Sequence, residues 1–91
     1  MSSVSDNTQL NRFELEVDGH LSFIDYRRRG NIVTMTHAEV PPALNGRGIG
    51  SALARGALNL VRDRHETVVP LCPFITNYIK RHAEYQPLLA Q

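Results

Sequence analysis

Cys72 stands at the end of the apolar run "TVVPLC", directly before Pro73, and it is the single cysteine in a chain of 91 residues. Proline suits the first position of a helix, so "PFITNYIKRH" reads as a short helix with the thiol beside its positive end. That setting favours the thiolate and makes sulfur nucleophilic. His37 and Glu39 lie two apart in "NIVTMTHAEV", which puts both on one face of an extended segment. Histidine changes charge near neutral pH, so His37 can act as a general base and can activate Cys72 in a Cys-His arrangement. The competing reading is packing, because a lone free cysteine is usually a small core residue.

A second chemical signal is "NGRGIGSALARGAL", residues 45–58, where Gly46, Gly48 and Gly50 alternate just ahead of a helical pattern. A strand, a glycine turn and a helix N-terminus present converging N–H groups and a positive dipole end, which together bind an anion such as phosphate. Two familiar phosphate loops do not fit. The P-loop needs lysine after its last glycine, where this chain has Ser51 and Ala52. The dinucleotide loop needs another glycine spacing, an acidic residue about twenty positions on and a parallel sheet.

The elements that must carry these residues follow from periodicity. "RFELEV" alternates Phe13, Leu15 and Val17 with Glu14 and Glu16 as a half-buried strand does, and Asp18-Gly19 is a hairpin turn. "HLSFIDYR" is the return strand, "RRRG" the next turn, and "NIVTMTHAEV" a third strand ended by Pro41-Pro42. An antiparallel three-strand meander results. The period then becomes helical over about residues 48–64, with Ile49, Leu53, Gly56 or Ala57, and Leu60 on one face. Gly56 is expected to let this helix approach the sheet closely. "TVVPLC" follows the helix and is expected to pair parallel to an earlier strand. The fold class is α+β (α/β). Residues 1–10 are expected to form a flexible N-terminus and residues 11–91 one domain.

Composition narrows the function classes. With 42% hydrophobic and 21% charged residues the chain fits one globular domain, and no apolar run approaches the length of a membrane helix. One cysteine and a polar start without a basic-then-apolar pattern predict a cytoplasmic protein. A formal net charge of +1 gives no general pull towards nucleic acid or a membrane surface. The arginines of "YRRRG" lack interleaved aromatic side chains and read as a solvated turn. His20, His65 and His82 show no ligand spacing with Cys72, so no metal site is expected.

The segment "HAEVPPALNGRGIGSALARGAL" resembles the coenzyme A pyrophosphate loop of the GNAT superfamily of N-acetyltransferases. The family pattern is Gln or Arg, two residues, Gly, one residue, then Gly or Ala. Gly48 and Gly50 match the last two positions, and Asn45 departs from the first. "VPLCPFITNYIKRHAEYQPLL" is similar to the end of small stand-alone members, which carry a cysteine after the next strand and a His-Pro-Glu-Tyr-like tail, with Ala83 in place of that proline. The likeness covers residues 12–89.

The resemblance implies an acetyl-CoA cosubstrate, no metal, and a pantetheine arm lodged where the strand ending at Val40 and the "TVVPLC" strand splay apart. Val40, Asn45, Gly46, Arg47, Gly48, Ile49, Gly50 and Ser51 would border the cofactor, and Arg55, one turn beyond Ser51, would approach a phosphate. Transfer to an amine needs a base, oxyanion donors and an acid for the departing thiolate. The candidate catalytic residues are Cys72, His37, Glu39 and Tyr78, while Tyr85 closes the core. Full-length acetyltransferases build much of the acceptor wall from elements ahead of the meander. Here a shallow groove or a partner subunit, as in a homodimer, would take that place. Two functions stay open: acetyl transfer to an amine, direct or through Cys72, and a non-catalytic acyl-CoA-binding module that docks on a protein.

Overall fold

Alternation of Phe13 and Leu15 with charged neighbours buries one face of the first long strand and leaves the other to solvent. A computed structural model describes residues 3–90 as a mixed five-stranded sheet with two helices. The strands are β1 (Ser5–Asn7), β2 (Arg12–Val17), β3 (His20–Arg29), β4 (Ile32–Glu39) and β5 (Thr67–Pro70), in that spatial order. The helices are α1 (Ile49–Asp63) and α2 (Pro73–Arg81), and a 3-10 segment spans Ala83–Leu88. Strands β1 to β4 pair antiparallel, and β5 joins β4 in parallel after the α1 crossover.

The meander therefore has four strands, because Ser5–Asn7 pairs with β2 ahead of the three expected; Met1 and Ser2 lie outside the described residues. The reason is polar. The Tyr26 hydroxyl donates to the Asp6 carboxylate, Arg28 Nη2 lies 3.2 Å from Asp6 Oδ2, and Arg64 pairs with the same oxygen. Arg28 Nε also donates to Glu66 at 2.8 Å. The Asp6 side chain is 2% exposed, so β1 is held by charges from β3 and from the end of α1. Arg28 is thus bound within the fold, whereas Arg27 and Arg29 stay exposed as the turn reading has it.

Both helices cover the same face of the sheet. The core there is Phe13, Leu15, Ile24, Tyr26, Val33, Met35 and Val68 against Leu53, Ala54, Ala57, Leu58, Val61, Ile75 and Ile79. The buried stripe of α1 is rotated from the expected one: Ile49 and Leu60 flank it half-buried. Gly56 does not meet the sheet. A Cβ built there would run into Cγ2 of Val4, so the missing side chain makes room for the segment leading into β1. Gly56→Val is expected to cost about 2 kcal/mol in urea unfolding, because overpacking outweighs any propensity gain.

Among the described residues no helix is long and apolar enough to cross a membrane.

Candidate functional site

The sequence slips out of alternation inside β4. Val33 and Met35 are buried, but the next residue towards the helices is Ala38, not His37. In the β3 and β4 pairing Tyr26 faces Met35 and Asp25 faces His37, so Thr36 is an extra residue on β4. This bulge turns His37 and Glu39 onto the open face of the sheet. Strict alternation would have driven both into the core. His37 Nε2 lies 4.0 Å from Glu39 Oε1, both side chains are more than half exposed, and the His37 ring centroid is 6.2 Å from that of Phe23.

Beside the bulge, β4 and β5 part. Their pairing ends at Met35 and Pro70, and the N–H groups of both Leu71 and Cys72 converge on the Met35 carbonyl, at 2.9 and 3.2 Å. Beyond this point β4 runs on to Glu39 with its β5-side edge unpaired, one residue short of Val40. Pro70 contributes to the break, since it has no N–H to give a ladder.

The chain after Val40 makes one 3-10 turn, Pro42–Leu44, anchored by buried Leu44. Gly46 and Gly48 have φ of +78° and +72°, in the left-handed region that glycine enters without steric cost, which gives Gly46 a conformational reason as well. Gly48 is the N-cap of α1. The first helical hydrogen bond runs from Ala52 N–H to the Gly48 carbonyl at 3.1 Å, leaving the N–H groups of Ile49, Gly50 and Ser51 without helical partners. No acidic residue lies in the first turn. A depression of about 300 Å³ opens here, bordered by Val40, Asn45, Gly46, Gly48, Ile49, Gly50 and Ser51 of the expected set, with Phe74 from α2.

Arg47 turns its side chain away, Nη1 2.7 Å from Asp18 Oδ2, so only its backbone faces the loop. Arg55 is exposed on the same side of α1 as Ser51. Gly50 has a packing reason: a Cβ there would lie 3.0 Å from Cζ of Phe74.

A second depression of about 210 Å³ shares Ser51 and Phe74 with the first and continues past Asn77, Tyr78, Arg81 and His82. Phe74, Asn77, Arg81 and His82 were not expected at the site. Their signal is the helical spacing of 74, 77 and 81, which sets them on one side of α2.

Cys72 caps the N-terminus of α2, as the Pro73 reading requires, but its side chain is 8% exposed and belongs to the core cluster on the helical side. His37 lies on the opposite face, and no hydrogen bond joins the two among the described residues. Tyr78 is 6% exposed and stacks on His82 with centroids 3.9 Å apart, while His82 Nδ1 donates to the Tyr78 carbonyl at 2.8 Å. Tyr85 is buried in the core and its hydroxyl donates to Asn59 at 2.7 Å. Burial, then the neighbouring Tyr78 and Glu84, push the Tyr85 phenol above its ordinary range.

A split parallel pair beside a glycine-lined helix start is thus on one chain, and the family comparison agrees with it: the model for GCN5-related N-acetyl-transferase matches residues 12–88. The chain belongs to the GCN5-related N-acetyltransferase family. Protein NATD1 of Gallus gallus is 39% identical over 51 residues, covering 56% of this chain and 46% of that protein. NATD1 of Homo sapiens is 39% identical over the same length, covering 45% of its own. The chain spans about half the length of the curated relatives it matches. The solution structure of a GCN5-like protein from Staphylococcus aureus shares the fold, with a TM-score of 0.73 over 97% of this chain and 87% of that one, at 22% identity.

Proposed function

We propose that this chain is an acetyl-CoA-dependent N-acetyltransferase. The observation that carries the reading is the row of unpartnered N–H groups at the start of α1 opening beside the unpaired edge of β4. The pyrophosphate would be received by N–H groups from Arg47 to Ser51, with Arg55 approaching it from one turn further on. The pantetheine amides would pair with the free edge of β4 beyond Met35, as a β5 extension otherwise would. Phe74, Asn77 and Arg81 would border the rest of the coenzyme.

Direct transfer is the favoured route. His37, exposed beside Glu39, would take the proton from the acceptor amine. The amine nitrogen then bonds to the thioester carbonyl carbon, the C–S bond breaks, and the coenzyme thiolate leaves with a proton from Tyr78 or from water. Exposure supports His37 as the base, whereas near-complete burial weighs against Cys72 as a relay. In the relay, Cys72 sulfur would first take the acetyl group as a thioester and then pass it to the amine.

Intact-protein mass spectrometry after acetyl-CoA, with turnover across an amine panel, tests the reading. Turnover without a stable adduct, unchanged in Cys72→Ala and lowered about 100-fold in His37→Ala, is the expected result. One acetyl group lost in Cys72→Ala would support the relay instead. Coenzyme binding with neither adduct nor turnover would leave a non-catalytic acyl-CoA-binding module.

A further inference from the structure

The helices pack on one face of the sheet, and the other face carries its charge in order. Strand pairing sets Arg12, Asp25 and His37 in one row, and Arg12 Nε lies 3.3 Å from Asp25 Oδ1, so this row balances its own charge. Two residues towards the Asp18-Gly19 turn, the row is Glu14, Phe23 and Glu39, and two further on it is Glu16 and Leu21. Two residues the other way the row is Arg27 and Thr34, followed by Arg29 and Ile32. Acid fills one half of the open face and base the other, at equal spacings from a neutral middle. Glu14, Glu16, Arg27 and Arg29 have no ion-pair partner among the described residues. Leu21 and Ile32 are 40% and 39% exposed, one in each half.

We propose that this face is a two-fold homodimer interface in which the acidic half of one copy covers the basic half of the other. Sheets stack face to face with their strands roughly aligned, about 10 Å apart. A two-fold axis lying in the interface across the strands superposes opposite ends of the face, and an axis along the strands superposes like ends. Charge therefore selects the first. With the axis over the Arg12, Asp25 and His37 row, the partner's Arg27 falls over Phe23 between Glu14 and Glu39. The partner's Arg29 falls over Leu21 beside Glu16. Arg12 lies over the Phe23 ring, its Cζ 4.1 Å from the centroid and its charge met by Asp25, so the incoming guanidinium seats beside that ring, between the Glu14 and Glu39 carboxylates, and not on it.

The pairing also lays the partner's sheet over His37 and Glu39, so the dimer closes the acceptor side of the site and the monomer is the form open to an amine; that clause alone rests on the acetyltransferase reading. Five strands of roughly 20 Å give a face on the order of 500 Å², smaller than the ~800 Å² per partner of a standard interface. The dimer is therefore expected to be micromolar and salt-sensitive.

Sedimentation equilibrium on the full chain tests this. The dissociation constant is expected to rise about tenfold or more between low and high salt. Arg27→Glu with Arg29→Glu, and separately Glu14→Arg with Glu16→Arg, are each expected to be monomeric with unchanged circular dichroism. Mixed one to one, the two reversed proteins are expected to form a heterodimer, because both halves of the face are then complementary. A parent chain that stays monomeric at hundreds of micromolar overturns the proposal, and so does a dimer indifferent to the reversals. Acetyl-CoA calorimetry on the same proteins reads the cofactor site separately: binding kept with no dimer removes this inference only, and a dimer without binding removes only the proposed function.

Discussion

Gly48→Val is expected to weaken acetyl-CoA binding by about 100-fold, the loss of one or two charge-assisted hydrogen bonds to a phosphate. Gly48 has a φ of +72° and a Cβ built on it meets no atom within 4 Å. The added side chain therefore clashes with nothing in the protein and projects into open space at the loop. A β-branched residue in the left-handed region is also strained, at a cost of about 1–2 kcal/mol. Gly48→Asn separates the two effects, because asparagine tolerates that backbone conformation while still adding side-chain bulk. Isothermal calorimetry and thermal melts on both variants are the measurement. Stability recovered in the asparagine variant while affinity stays low assigns the loss to phosphate access. Parent-like affinity in both variants would remove the pyrophosphate site from this loop.

What the chain made legible depended on how local the cause was. Phe13 and Leu15 alternating with glutamates, the glycines before Ile49 and the proline after Cys72 each act through their immediate neighbours, and β2, the loop and α2 lie where that pattern puts them. β1 was hidden because its cause is remote. Nothing in "SDN" is apolar, and the partners of Asp6 are 20, 22 and 58 residues away. The bulge at Thr36 was legible in principle, since the apolar positions step from Val33 and Met35 to Ala38 and Val40. Its consequence is functional: His37 and Glu39 share a face, but it is not the face on which Cys72 is buried. Gly56 misled for a similar reason, as the side chain it admits is Val4, far back in the sequence.

The same remote contacts predict the largest stability effect. Burial alone would raise the Asp6 pKa, but the hydrogen bonds from Tyr26, Arg64 and Arg28, together with the Arg28 charge, outweigh it and hold the carboxyl below its ordinary value. Burial, followed by the bond to Asp6, pushes the Tyr26 phenol up. A carboxyl whose folded pKa lies below the unfolded one stabilises the fold fully above the unfolded value, about 3.9, and the contribution fades as pH falls towards and through the folded one. A phenol shifted upward works in the other direction: its contribution is complete below about 10 and fades as pH rises through the folded value. Asp6→Asn leaves Tyr26, Arg28 and Arg64 without their carboxylate, and a one-sided break of a buried ionic contact costs about 3 kcal/mol. Urea unfolding at neutral pH is expected to show that loss, with parent and variant converging as pH drops below about 4. Tyr26→Phe keeps the ring against Phe13, whose centroid is 4.9 Å away, and removes one donor, so about 1 kcal/mol is expected. An Asp6→Asn protein as stable as the parent at neutral pH would mean that β1 is not held by its charges, and the N-terminal strand would have to rest on Val4 in the Gly56 gap alone.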